Sequence, residues 1–501
     1  MTVESLMYAI LTLPFLFSII ALSGIVKNKY IHALNKFIAS IVGILFIVLL
    51  VKFDPSQSYA FSIFYLDSLS FILLLTIVVL YVATAWVTKG YLLREKKYYN
   101  FARGYLSSSP KLIGRYYALT HTFIGTMLFV ISVENLGMMW VGIEATTLVS
   151  ALLVSFKYTR SALEATWKYI MVCTVGICLA LLGTIILYYA QLNGVGSENA
   201  LSWTYLSSNA MSLDPSFVKL AFLFIFIGYG TKIGLAPMHT WLPDVYSEAP
   251  SLISGLLSGA LCSCAIYVML RNLAIIVPVV GIAFVSKMIL FFGIITLLIA
   301  IPFVLIQRDL KRLLAYSSME NIGIMMLGVG IFSVFSVKAA LFHLLNHALI
   351  KFTLFYTAGT IIQEYNTKNI MRIHGMIKET PRTATILLMG MFAILGMPPF
   401  GLFISKFAIT FEMFRKGHYV FGALLVILVA GVVIGILYHI MRISSGKASL
   451  KACGDLFDKT DLLFLGVLLC GSIGTIFAIM QSEFFIVLFD TAAKIVVGGV
   501  I

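Results

Sequence analysis

An all-α polytopic membrane protein is the fold class this sequence predicts, and three observations predict it. Of the 501 residues, 60% are hydrophobic and 11% charged, where a soluble domain runs near 45–50% and 25%. Apolar blocks of spanning length recur from Leu6 to Val487 with only short interruptions. The Lys and Arg residues, which set a formal charge of +14, are spread over the connections between those blocks. That is the distribution of a membrane topology, not of a nucleic-acid-binding face. The six cysteines (Cys173, Cys178, Cys262, Cys264, Cys453 and Cys470) form no C-x-x-C pair. All but Cys453 lie in apolar blocks, so they read as small packing residues, and neither a metal nor a cofactor is expected.

A spanning helix needs about 20 mainly apolar residues. That rule gives fourteen spans, at about 5–26, 31–51, 64–88, 116–134, 136–156, 169–190, 217–238, 250–271, 285–306, 314–332, 336–361, 383–408, 420–441 and 462–482. No Lys or Arg precedes the first of them, so the charged region of a cleavable signal peptide is missing and the first helix is expected to stay. The tail 483–501 is apolar but carries Asp490 and Lys494 in its middle, and it is left unassigned between crossing the membrane and lying along it. Connections that follow odd-numbered spans hold 23 Lys and Arg, seven of them in the block from Lys89 to Arg115, against eight on the other side. The positive-inside rule then places the N-terminus outside and the 89–115 loop in the cytoplasm.

Ionisable groups deep in apolar runs cost about 2.5–3.5 kcal/mol each at a helix centre, which makes function their default reading. Glu144 stands mid-span in the fifth helix. Lys232 lies in Gly228-Tyr-Gly-Thr-Lys-Ile-Gly-Leu-Ala-Pro237, where glycines and Pro237 interrupt the seventh. In the eleventh, His343, His347 and Lys351 are spaced i, i+4, i+8 and share one face. Two His four apart can bind zinc, but no third ligand follows at a suitable spacing. Lys406 follows Gly396-Met-Pro-Pro399-Phe-Gly, a second interrupted span. The two broken spans, seven and twelve, are an odd number apart, so they cross in opposite directions as inverted repeats do. If Glu144 lay within about 8 Å of Lys232, their attraction at an effective dielectric near 20 would be roughly 2 kcal/mol. Separating the pair would then prompt Lys232 to release its proton.

The motifs Trp140-x-x-x-Glu144-Ala-Thr-Thr-Leu148, Leu163-Glu-Ala-Thr-Trp-Lys-Tyr-Ile170, Gly230-Thr-Lys-x-Gly-Leu-x-Pro-Met-His-x-Trp-Leu-Pro-Asp244 with Ser247-Glu-Ala-Pro250, Gln307 to Ser318, and Asn346-His-Ala-x-x-Lys351 carry a family resemblance. The chain resembles the antiporter-like membrane subunits of complex I, membrane-bound [NiFe] hydrogenases and Mrp antiporters, and within that group it is most similar to hydrogenase-4 component F. The resemblance covers roughly residues 60–480. It implies a fourteen-helix core with two inverted five-helix repeats, at spans 4–8 and 9–13. The chain would then divide into residues 1–115, three helices and the basic loop; 116–271, the first repeat; 272–441, the second; and 442–501, the last span and tail. It also implies proton pumping by Glu144, Lys232, Lys351 and Lys406, with His343 and His347 between the halves and His239 and Asp244 at an entrance. The implied partners are other membrane subunits and a peripheral electron-transfer arm of a hydrogenase-like or NADH:quinone oxidoreductase-like complex in the plasma membrane. A place in an Mrp-type Na+/H+ antiporter is the alternative. Where many members carry Lys or His in the eighth helix, Gly255 to Cys264 offers only Ser258 and Ser263. The link between halves must there use water or other groups.

Overall fold

A computed structural model describes residues 2–25, 28–98, 110–446 and 452–498. Residues 99–109 of the basic loop, Lys27, Lys447, Lys451 and the end of the tail lie outside the described residues. The chain is mostly helical, in the order α1 (Val3–Ser23), α2 (Asn28–Lys52), α3 (Ser68–Tyr98), α4 (Pro110–Ser132), α5 (Leu136–Val154), α6 (Arg160–Gly194), α7 (Trp203–Ser208), α8 (Pro215–Ile233), α9 (Leu242–Glu248), α10 (Ser251–Leu256), α11 (Cys262–Val280), α12 (Ile282–Ile306), α13 (Leu310–Gly330), α14 (Val334–Tyr365), α15 (Met376–Glu379), α16 (Pro381–Leu395), α17 (Gly401–Arg415), α18 (Tyr419–Ser444), α19 (Lys459–Gln481) and α20 (Glu483–Val496). A π-helical turn at Leu257–Leu261 joins α10 to α11. Among the described residues, ten helices are long and apolar enough to cross a membrane, α10 through α11 counting as one. The protein is a polytopic integral membrane protein.

Helix ends fall where the sequence supplies caps. Asn135, Thr159, Asp214 and Asp309 accept backbone N–H bonds at the starts of α5, α6, α8 and α13, and Ser333 with Ser336 closes a capping box on α14, satisfying donors that the first helical turn leaves open. Gly234 (φ 92°) and Gly396 (φ 79°) take the left-handed conformation that ends α8 and α16, a conformation that costs glycine little. The two Gly/Pro-rich interruptions therefore become real breaks, with irregular backbone over 234–241 and 396–400.

At the centre runs α14, buried over most of its length and packed against α3, α10, α13, α16, α17, α19 and α20. A helix buried all round in a membrane protein need not be apolar all round, and α13 and α14 carry most of the polar seam described below. The sequence reading is all-helical, yet Tyr59–Phe61 and Phe64–Leu66 pair as a short antiparallel hairpin. This aromatic run suits strands, and Ser62 turns it with a positive φ of 57°. The unassigned tail forms α20, whose Leu488, Phe489, Ala492, Ala493 and Val496 are buried and whose Asp490 pairs with Lys338 at 2.7 Å.

Two arginines counted with the loops are in fact interior. Arg94 pairs with Asp461 of α19 at 2.5 Å and donates to Tyr356 OH. Arg271 is fully buried and holds both oxygens of Asp67 at 2.6 Å, with Trp203 stacked on its guanidinium. In each case a carboxylate distant in sequence, Asp461 in α19 or Asp67 just before α3, offsets the cost of burying the charge, and no local pattern announces that partner.

Candidate functional site

Two clusters of charge lie inside the bundle, each beside a broken helix. In the first, Lys232 occupies the last turn of α8, fully buried, and its Nζ donates to Thr147 Oγ1 at 2.8 Å and to Tyr169 OH at 2.6 Å. Tyr169 OH is shared in turn with Ser150 Oγ at 2.7 Å. Glu144, half-buried one turn back from Thr147 on α5, is flanked by Thr147 and Thr174, and its Oε2 is buried without a hydrogen-bond partner. Lys232 is thus solvated by hydroxyls, and Thr147 stands between it and the carboxylate. The spot depends on close helix packing: a Cβ on Gly228 would fall 2.5 Å from Ala180 N of α6, and one on Gly176 would fall 2.6 Å from Thr231. Small residues at such crossings let helices in a membrane approach this closely.

In the second cluster, Lys406 of α17 donates to Glu320 Oε1 at 2.8 Å and to the carbonyls of Ile394 and Leu395 at 3.1 and 3.5 Å. Those carbonyls are the open C-terminal end of α16, where the helix dipole favours a cation. Glu320 Oε2 accepts from Asn321 Nδ2 at 2.5 Å, Asn321 Oδ1 meets His343 Nε2 at 3.0 Å, and His343 Nδ1 meets Ser405 Oγ at 2.9 Å. Lys351, fully buried, donates to Leu314 O at 2.7 Å and to Ser317 Oγ. The His347 ring lies stacked with that of His343, centroids 6.5 Å apart, and its buried Nε2 has no partner. Ser258, inside the π turn, meets Ser318 Oγ at 2.9 Å, and Ser318 donates to Leu314 O, the carbonyl that Lys351 also uses.

Asn321 Nδ2 also donates to Ser317 O at 2.7 Å, so through Ser317 the structure brings Lys406, His343, Lys351 and the π turn into one seam, and it sets Glu144 and Lys232 together beside α6. His239 lies apart, in the 234–241 break, 9% exposed with Nδ1 unpartnered. Asp244 sits at the end of the bundle, tied to Lys168 at 3.1 Å and Arg312 at 2.8 Å. Sequence reasoning missed Glu320. The signal was available, an acid inside the expected tenth span, and its separation from Lys406 (86 residues) nearly repeats that of Glu144 from Lys232 (88 residues). Asn321, Ser405 and Tyr169 had no such signal, because their part depends on what they face.

Buried charges threaded through a membrane bundle at helix breaks define an antiporter-like membrane subunit. The profile of the NADH:quinone oxidoreductase/Mrp antiporter transmembrane family matches residues 133–435, and the chain belongs to that family. It is 35% identical over 411 residues to the hydrogenase-4 component F homolog of Methylacidiphilum infernorum, covering 81% of this chain and 83% of that protein. Its fold is similar to that of a chain in the Mrp complex from Dietzia sp. DQ12-45-1b (TM-score 0.83, 18% identity, 100% of this chain and 98% of that one). It is likewise similar to a chain of respiratory complex I from Thermus thermophilus (TM-score 0.81, 20% identity, 98% and 99%).

Proposed function

We propose that this chain is the proton-translocating membrane subunit of a hydrogenase-4-like or complex I-like assembly, driven by electron transfer in partner subunits. The observation that carries the reading is the contrast between the two clusters. Lys406 is closed onto Glu320 at 2.8 Å, while Lys232 is held by hydroxyls with Thr147 between it and Glu144. A buried lysine gives up its proton most readily when its carboxylate partner is drawn away. Opening and closing two such pairs in turn would move a proton along the seam through His343, His347 and Lys351.

The arrangement proposed around it is fourteen spans with inverted repeats at spans 4–8 and 9–13, the N-terminus outside, the basic loops cytoplasmic and the chain in the plasma membrane. The breaks beside Lys232 and Lys406 and the similar Glu–Lys separations support the repeats, and the Lys and Arg distribution supports the orientation. Partners are further membrane subunits and a peripheral electron-transfer arm. In vesicles containing the complex purified through this chain, Lys232→Met or Glu144→Gln is expected to abolish proton pumping while the complex still assembles. Pumping at the wild-type rate in both variants would refute the reading. Proton flux that requires Na+ would instead favour Na+/H+ antiport.

A further inference from the structure

Asn346 stands between His343 and His347 on α14, fully buried, yet it belongs to neither charge cluster. Its Nδ2 donates to Phe342 O at 3.0 Å, within its own helix. Its Oδ1 turns to α19, where it accepts from Ser472 Oγ at 2.7 Å and from Thr475 Oγ1 at 3.1 Å. Ser472 is itself fully buried, and its oxygen accepts the backbone N–H of Gly401 at 3.2 Å. One hydroxyl thus spends its proton on α14 and a lone pair on α17. The motifs that carry the family resemblance all lie before α19, which begins at Lys459.

Gly401 is the first residue of α17, where N–H groups have no partner within the helix. Phe400, at the capping position before it, has no side-chain oxygen and makes no cap. Ser472 supplies that acceptor from another helix. Glycine is needed at 401 because a Cβ there would run into the Asn346 amide. One turn further along α17, Ser405 Oγ meets His343 Nδ1 at 2.9 Å, and the next residue is Lys406. The start of α17 is therefore tied to α14 at Gly401, through Ser472, and at Ser405 directly. It follows immediately on the irregular backbone of 396–400, so no preceding helical turn fixes its position. These ties set where Lys406 meets Glu320.

We propose that Ser472 is a positioning residue for Lys406: it caps α17 from outside that helix and holds the break against α14, which keeps Lys406 within reach of Glu320. Lys406 is the group that carries the proton, and Ser472 acts on it through the backbone of Gly401. Without the hydroxyl, the first turn of α17 keeps only its tie at Ser405. The Gly401 N–H is then left buried with no acceptor, which costs more than the bond itself contributed. The relief open to it is for that turn to unwind into the break, which draws Lys406 away from Glu320. This rests on the proton-translocating reading of the chain, and it adds α19 to the machinery.

The test uses the intact complex, with pumping in vesicles read per assembled complex and a double-mutant cycle on Glu320 and Lys406 repeated in each background. Ser472→Ala is expected to slow pumping about fivefold, the population change that goes with one typical hydrogen bond, and to cut the Glu320–Lys406 coupling by about half. Thr475→Ala removes a hydroxyl from the same Asn346 oxygen without touching Gly401, so its rate and coupling should be those of the wild type. A wild-type rate or an undiminished coupling in Ser472→Ala overturns the role. An equal loss in Thr475→Ala overturns it too, because general packing of α19 would then be responsible. If Lys232→Met is silent while Ser472→Ala pumps normally, only the positioning role falls. If Lys232→Met pumps, the translocation reading falls, and the coupling measurement still decides whether Ser472 places Lys406. Should Ser472→Ala fail to assemble, Ser472→Cys keeps the bulk but offers Gly401 a weak acceptor, and a wild-type rate there overturns the role.

Discussion

Removing the Glu320 carboxylate while keeping its shape, as in Glu320→Gln, leaves the Lys406 ammonium with two helix-end carbonyls as its remaining partners. At 2.8 Å and an effective dielectric near 20, the gross attraction is about 6 kcal/mol. Part of that offsets the desolvation of two side chains that are only 11% and 1% exposed. Cutting one partner out of such a buried pair typically costs about 3–5 kcal/mol, whereas removing both leaves no stranded charge. Glu320→Gln and Lys406→Met should therefore each destabilise the subunit strongly, and the double variant should recover much of the loss. A double-mutant cycle on the solubilised complex, unfolded by denaturant, is expected to give a coupling of about 3 kcal/mol. A coupling below about 1 kcal/mol, the size found for solvent-exposed pairs, would refute the description of this pair as a buried contact. The single variants that do assemble should not pump.

Other outcomes are equally checkable. Tyr169→Phe removes one of the two hydroxyls that hold Lys232, a loss of about 1.5–3 kcal/mol for a bond to a charged group, and pumping in vesicles should fall while Glu144 stays in place. Gly228→Ala sets a methyl group 2.5 Å from a backbone nitrogen of α6; the overpacking should cost about 1–3 kcal/mol in thermal or denaturant stability and lower pumping by shifting Lys232. A membrane-impermeant maleimide should label Cys453, an exposed thiol in the 452–458 connection, and leave the buried Cys173, Cys262 and Cys264 unmodified. Burial and the nearby Glu364 push the Cys453 thiol pKa up, so the thiolate fraction grows as pH rises through it. Labelling should accelerate from about pH 7 to about pH 9, and a flat rate would contradict that environment.

The parts of the site visible in the sequence are those whose cost is local. Glu144, Lys232, Lys351 and Lys406 stand out because a charge in an apolar run is expensive wherever it points, and the two breaks stand out because Gly and Pro act on their own backbone. Glu320 met the same criterion and was missed among Ser317, Ser318 and Asn321, whose polarity makes the run look like a helix end. What could not be read is pairing across the bundle. Nothing near Arg94 names Asp461, and nothing near Lys406 names the open carbonyls of α16, since both depend on how distant helices pack. The α6 helix shows the limit for boundaries as well: at 35 residues it is about 52 Å long, so the apolar core at 169–190 underestimates a helix whose ends are polar and leave the membrane.

One uninterrupted rod of 32 residues, α14, carries three titratable groups along the same stripe. Because no glycine hinge, proline or bulge separates His343 from Lys351, a sliding of this element by even a fraction of a turn would displace all three in concert, like teeth on a rack. Independent adjustment of one of them must come from its own torsions or from the neighbouring 396–400 joint. The bundle thus has an unbroken axle on one side of its buried charges and a jointed helix on the other.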